Sequence, residues 1–224
     1  MGLMSETLNG RVVVVSPHLD DAVFSLGATI ASASRSGSRI EVLTVFGCDP
    51  SSRGPANGWD ARGGFATEGE AATARREEDR AACRLVGAEP HWLPFRGGGY
   101  TPHKDIDAIA AAITDRVTGA DAVLVPGFPL RNDDHAWLAG LFDERPPPST
   151  RLGRYVEQPY AYMVRKGQPL SGAEWEKPRV TLADRLSKRR AVRAYASQLP
   201  LLSLGSRKLH LLLLQAEAIS WRPA

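Results

Sequence analysis

Two short clusters in this 224-residue sequence carry the residue types of hydrolytic chemistry. The first is Pro17-His18-Leu19-Asp20-Asp21, an imidazole followed by two adjacent carboxylates. Nitrogen and oxygen donors turned towards one point suit a borderline cation such as Zn²⁺. With His18 and Asp21 as ligands, Asp20 is left beside the metal as a spare carboxylate, the group that metal-assisted hydrolysis needs to take a proton from water. A catalytic zinc usually has three protein ligands, so one more must come from elsewhere in the chain. The second cluster, Asn132-Asp133-Asp134-His135, offers it. Asp133 and Asp134 cannot both join a three-ligand site, and one of them is better read as an acceptor that orients an imidazole. Each cluster also has a plainer reading. Asp20 and Asp21 suit the positive start of a helix, and a lone His135 could cap a helix or sit on the surface.

The elements around the clusters favour the chemical reading. Val12 to Val15 form an apolar, β-branched run of the kind buried on both faces of a sheet, and Pro17 ends it. Ala22 to Ala33 follows with apolar residues at helical spacing. Asp121 to Pro126 reads as another buried strand, and His135 lies beyond it at the start of a helix from Ala136 to Phe142. Strands alternating with helices predict an α/β fold with a mostly parallel sheet, and such sheets bind ligands beyond the carboxyl ends of their strands. Both clusters fall there.

The remaining chain supplies the other layers. Ile40 to Phe46 and His91 to Phe95 are predicted strands, and Glu70 to Leu85, ended by Gly87, and Asp105 to Val117 are predicted helices. Asp49 to Gly69 reads as a long Gly-, Ser- and Pro-rich loop that could fold over the site, with Trp59 and Phe65 either walling a substrate or anchoring the loop to the core. Arg96-Gly97-Gly98-Gly99-Tyr100 is a weak phosphate-loop candidate, since no helix opens from it. Glu144 to Ser149 is a proline-rich linker. Tyr155 to Val164 is a strand that Pro159 would place at an edge or bulge, Val180 to Leu199 a basic helix, and Leu209 to Ile219 an apolar, helical segment.

Composition bounds the class. With 43% hydrophobic and 24% charged residues, the chain is expected to form one globular domain over 1–224. No apolar run is long enough to span a bilayer, the N-terminus lacks a secretory pattern, and two cysteines, Cys48 and Cys83, make no disulfide framework; a cytoplasmic location is expected. Residues 151–224 hold 14 Lys/Arg against 5 Asp/Glu, leaving 14 against 20 in residues 1–150. The basic residues are dispersed at helical positions such as Arg185, Lys188, Arg189, Arg190 and Arg193, which reads as a solvated helix face rather than a nucleic-acid site. Neither a Gly-x-Ser-x-Gly elbow nor a Cys/His pair in suitable context occurs, so nucleophilic catalysis is disfavoured.

Pro17-His18-Leu19-Asp20-Asp21 resembles the signature of the PIG-L/LmbE-like zinc-dependent de-N-acetylases, in its His-Leu-Asp-Asp form. Arg75-Arg-Glu-Glu-Asp79 with Ala82 and Gly87 is similar to that family's helix motif, Asn132-Asp-Asp-His135 to its second metal motif, and Glu157-Gln-Pro-Tyr160 to a segment of the His-Leu-Asp-Asp branch. Lys188, Ala191, Tyr195, Ser197 and Gln198 resemble its late helix, and Ala216-Glu217 with Trp221 its closing motif. The resemblance covers nearly the whole chain. It implies a Rossmann-like three-layer sandwich and one Zn²⁺ per chain held by His18, Asp21 and His135, with Asp20 as general base. Arg75 and Tyr160, together with Trp59 of the loop, are the implied substrate-binding residues.

One position departs from the family. A His usually opens the second motif, where it stabilises the oxyanion or protonates the leaving amine; here that position is Asn132. An amide can donate a hydrogen bond to an oxyanion, an interaction worth about 100- to 1000-fold in rate, but cannot supply a proton. Asp20 would then shuttle the proton, another residue such as His103 would supply it, or activity would be weak. Asn132 is equally suited to capping the following helix. The expected activity is removal of an acetyl, or other acyl, group from an amine on a small molecule such as an amino sugar or glycosylated natural product. A thiol-conjugate amidase and a non-catalytic metal- or ligand-binding module are the rivals. The expected partner is a small-molecule amide, with neither nucleic acid nor membrane, and self-association is left open.

Overall fold

Val12 to Val15 form the middle of strand β1 (Arg11–Ser16) and are buried on both faces. Val12 and Val14 enter one apolar layer, Val13 and Val15 the other, because successive strand residues face opposite sides. Fully burying one such side chain contributes about 1.5–3 kcal/mol, so this run alone commits β1 to the middle of a sheet. The computed structural model describes residues 8–147, 150–163, 174–202 and 215–222.

Around β1 lie β2 (Arg39–Thr44), β3 (Ala88–Trp92), β4 (Ala122–Phe128), β5 (Arg151–Val156) and β6 (Ile219–Trp221), in the order β3-β2-β1-β4-β5-β6. All pairs are parallel except β5–β6. The helices, in chain order, are α1 (Asp21–Arg35), α2 (Gly58–Arg62), α3 (Glu68–Val86), α4 (Ile106–Val117), α5 (Asp133–Glu144), α6 (Tyr160–Met163) and α7 (Leu182–Ala194). Apolar residues of α1, α3 and α7 pack on the Val12/Val14 face. Those of α4 and α5 pack on the Val13/Val15 face, which completes the expected three layers. From β1 the chain moves outward to β2 on one side, while β4 pairs with its other side. The strand order therefore reverses between β1 and β4, the crevice where ligands bind in such sheets.

Several expected boundaries move. α3 starts earlier than predicted because Thr67 and Glu70 close a capping box, and it ends at Gly87 in the left-handed conformation, φ 75°. β3 begins immediately after that glycine, three residues ahead of the predicted His91 start, because pairing with β2 from Ile40↔Ala88 outweighs the weak strand preference of Ala88-Glu89-Pro90. α5 begins at Asp133, where Asn132 is the cap, rather than at Ala136. The Asp49–Gly69 segment contains α2, capped by Asn57. Pro159 does not mark an edge strand: β5 ends at Val156, lies between β4 and β6, and is followed by α6. α7 is shorter than the predicted Val180–Leu199 helix and starts at Leu182, where Thr181 as cap and Asp184 close a capping box. Of the predicted helix Leu209–Ile219, residues 209–214 lie outside the described residues, and Ile219 opens a strand instead, pairing with Tyr155. The end of the chain is tied to α1 by Glu217, whose carboxylate accepts from Ala28 N, Thr29 N and the buried Lys188 Nζ (2.6 Å). No helix among the described residues is long and apolar enough to cross a membrane.

Candidate active site

His18 and Asp21 follow β1, and His135 sits in the first turn of α5 beyond β4, so the strand reversal brings together residues 117 positions apart. Ser16 shapes the first turn. Its hydroxyl donates to His18 O (2.6 Å) and accepts from Ala22 N (3.0 Å), taking over one of the free N–H groups at the start of α1. Asp20 stands at the cap position but makes no side-chain cap bond, which corrects the plainer reading of that residue. Its carboxylate instead lines a cavity of about 510 Å³.

Three inward-facing atoms form a nearly equilateral triangle. His18 Nδ1 is 3.3 Å from Asp21 Oδ2, His135 Nε2 is 3.2 Å from the same oxygen, and the two nitrogens are 3.2 Å apart. Zinc bonds of about 2.0–2.1 Å at tetrahedral angles separate ligand atoms by about 3.3–3.4 Å, so the triangle has the size of one face of such a site. The outward nitrogens fit as well. His18 Nε2 meets Asp134 Oδ2 at 3.0 Å, and His135 Nδ1 makes a short contact with Glu157 Oε1. Carboxylates at those positions hold a proton on each outward nitrogen and turn both inward lone pairs towards the triangle's centre.

The electrostatics agree. Burial disfavours charge on His135, yet Asp21 and Glu157 outweigh it and push its pKa up to about 10. Burial would raise Asp21, but the His135 and His18 imidazoles hold it well below the usual carboxylate range. The triangle favours positive charge at its centre. Asp20 behaves oppositely: burial, then the neighbouring Asp21, raise it to about 7, partly offset by Arg75 and His18. A carboxylate poised there is suited to trading protons near neutrality.

Trp59, Arg75, Asn132 and Tyr160 all line the same cavity. The Trp59 indole N–H donates to Gln198 Oε1 (2.8 Å), which fixes the ring plane. Arg75 reaches from α3 to Asp60 (3.1 Å), and its buried Nε has no protein partner. Tyr160 stands edge-on to the His135 ring, with centroids 5.4 Å apart. Asn132 Oδ1 accepts from Asp134 N (2.9 Å) as the α5 cap, and its side chain shares the cavity wall with Tyr160. Phe65 and His103 do not line the cavity, so Trp59 alone of the loop aromatics forms a wall and His103 stands apart from the reacting region. Cys48 does line it, but burial lifts its thiol to about 12, which leaves it unreactive.

The glycine cluster has a different purpose from phosphate binding. Gly98 N donates to both oxygens of Asp134 (3.0 Å each), and a Cβ on Gly97 would lie 2.5 Å from Asp134 Oδ2. Glycine is required because the backbone runs directly against the carboxylate that orients His18. Lys104 Nζ adds a third donor at 2.9 Å. Of the two candidates, Asp134 is thus the orienting acceptor. Neither the orienting role of Glu157 nor Lys104 is apparent from sequence alone. The available signal is that Glu157 directly follows β5 at the same end of the sheet.

Comparison with known proteins gives consistent matches. Residues 13–144, more than half of the chain, match the family model described as PIG-L: GlcNAc-PI de-N-acetylase. Over 171 residues the chain is 29% identical to 2'-N-acetylparomamine deacetylase of Streptomyces fradiae, covering 68% of this chain and 58% of that protein. The chain thus spans less than two thirds of that relative's length. The solved structure of the antimicrobial reagent A40926 pseudoaglycone deacetylase superposes with a TM-score of 0.78 at 27% identity, covering 94% of this chain and 96% of that one. A zinc-inhibited form of teicoplanin deacetylase superposes equally well, TM-score 0.78, at 21% identity over 94% and 97% of the two chains, a likeness of fold.

Proposed function

The chain belongs to the PIG-L (GlcNAc-PI de-N-acetylase) family, and from that premise we propose that it is a zinc-dependent hydrolase removing an N-acetyl group from an amino sugar of a glycosylated natural product. The observation that carries the reading is the triangle of His18 Nδ1, Asp21 Oδ2 and His135 Nε2 with Asp20 beside it at the wall of a cavity. Support for the substrate class comes from the deacetylases of antibiotic glycosides that the chain resembles. The cavity, at about 510 Å³, is in the range that holds a sugar-sized group.

His18, Asp21 and His135 would hold the ion, which when bound supplies a Lewis acid for the amide carbonyl and lowers the pKa of water to about 7. Asp134 and Glu157 keep the two imidazoles in the tautomer that ligation needs. Asp20 accepts the proton of the attacking water as the water oxygen bonds to the acetyl carbon. The Asn132 amide donates a hydrogen bond to the oxyanion that develops on the substrate carbonyl. As the carbon–nitrogen bond breaks, Asp20 returns its proton to the leaving amine, giving acetate and the free amino sugar. Among the described residues lining the cavity no imidazole other than His18 is present, and that ring is committed to the triangle, which is why the proton is assigned to Asp20. Trp59 and Arg75 bind the sugar, and Tyr160 packs the imidazole it faces.

Mass spectrometry on a panel of N-acetylated aminoglycosides and glycopeptide pseudoaglycones tests the proposal. Loss of one acetyl group, abolished by a chelator and restored by Zn²⁺, is expected. Stoichiometric zinc binding with no deacetylation across the panel would refute the substrate class.

A further inference from the structure

Glu157 is almost fully buried, 1% exposed, directly after β5. Oε1 contacts His135 Nδ1, and Oε2 accepts from Leu130 N at 2.8 Å. Leu130 is one of two described non-glycine residues with positive φ, at 53°. A left-handed leucine is strained where glycine is not, and it persists only where its surroundings hold it. The hydrogen bond to Glu157 is such a hold. Glu157 N also donates to Phe128 O, so backbone and side chain grip the same turn. That turn carries Arg131 and Asn132 into the cavity wall, and Asn132 in turn caps the helix that bears His135.

We propose that Glu157 is a positioning residue with two separate duties: one carboxylate oxygen orients the His135 imidazole, and the other holds Leu130 in its left-handed conformation, so that the metal-facing nitrogen and the Arg131–Asn132 wall are set by one side chain. The arrangement ties two parts of the site that both follow β4, the Leu130–Asn132 turn and His135, to one residue that follows β5. The inference rests on the metal reading above, and its test can fail independently of that reading.

The experiment is a double-mutant cycle on Glu157→Gln and Leu130→Gly, read by Zn²⁺ affinity of the full chain in competition with a chromophoric chelator. Glutamine has one oxygen where two acceptors are needed, so its NH₂ must face either the imidazole N–H or Leu130 N–H. Glu157→Gln is expected to weaken Zn²⁺ about 10- to 100-fold, the usual loss for an outer carboxylate of a ligating histidine. Leu130→Gly alone is expected to change affinity less than about twofold, because glycine adopts φ near 53° without strain. In the double variant it should recover at least about threefold of the loss: the N–H at position 130 remains, but glycine keeps φ near 53° without that bond, so glutamine's oxygen can turn to His135. Additive effects would overturn the two-duty proposal, as would Zn²⁺ affinity in Glu157→Gln within about twofold of the parent. If Glu157→Gln does not fold, Glu157→Asp takes its place in the cycle; it keeps the charge but is too short to reach both partners, and the same outcomes decide. A parent chain that binds no Zn²⁺ would instead remove the metal reading itself.

Discussion

Asn132 makes opposite demands on its two amide atoms, and this allows a cap and a catalytic donor to be separated in one residue. Asn132→Ala removes both. Loss of the Oδ1 bond to Asp134 N costs about 1 kcal/mol, the usual value of such a cap. In a chain of this size that lowers Tm by about 2–4 °C. Loss of the amide N–H removes the proposed oxyanion donor and should cut kcat by about 100-fold or more. Asn132→Ser separates the effects: serine caps as well as asparagine, so Tm should stay within about 1–2 °C of the parent, but its shorter side chain cannot reach the oxyanion and kcat should fall as far as in the alanine variant. The assay is thermal unfolding alongside turnover of an acetylated substrate that the parent accepts, with zinc content verified in each variant. Parental kcat in Asn132→Ser together with a large loss in Asn132→Ala would refute the donor role. It would mean that Asn132 acts only through the geometry of α5. Asn132→His should preserve or raise kcat if the cavity accepts the ring, and lose activity with metal retained if the site is built around the amide.

Three further outcomes are expected. The purified chain should carry about one divalent metal ion, and His18→Ala or His135→Ala should remove it, as measured by elemental analysis; metal retained at parental stoichiometry in the double variant would sink the three-ligand site. Asp20→Asn should keep the metal and lose about 100- to 10,000-fold in turnover, because the amide cannot accept water's proton. In the parent, kcat/KM should rise with pH as Asp20 ionises, its carboxyl being held up by burial and by Asp21, and that limb should vanish in the variant. Asp79 is raised by burial to about 6 from 3.8, against the donors Trp92 and Tyr195. A raised folded-state pKa means that the native state keeps the proton longer. The corresponding stability, on the order of 3 kcal/mol, is fully present below pH about 4 and lost as pH rises through about 6. Chemical unfolding of the parent minus Asp79→Asn between pH 4 and 7 should show this decline, and a flat difference would count against it.

The parts of the site that are legible in the sequence are those whose signal is local. His18, Asp20 and Asp21 announce themselves because a valine run, a proline and a helical pattern surround them within twenty-odd residues of sequence. His135 is legible for the same reason beyond β4. The fold follows from alternation of such units. What stays hidden is set by distance. Glu157 meets His135 only because β5 pairs with β4, and Gly98 meets Asp134 only because β3's loop crosses the sheet end. The glycine cluster signals a close approach but not its partner. Asp20 keeps a second reading as a cap in the sequence, which closes only when Ser16 is seen accepting from Ala22 N in its place. β5 hides because Arg151-Leu-Gly-Arg154 lacks a continuous apolar run and follows a proline-rich stretch, while its burial comes from neighbours on both sides.

The triangle is assembled from two lengths of chain that share no local structure: His18 and Asp21 lie before β2, His135 after β4. A polypeptide cut between β3 and α4 would therefore give one fragment with two ligands and another with one, and neither alone would chelate tightly. Tight zinc uptake by a mixture of the two fragments would report that the central β1–β4 seam had closed. Metal affinity in this chain thus doubles as a gauge of reassembly, and free zinc acts as a glue for that seam, shifting the equilibrium towards the joined form by mass action.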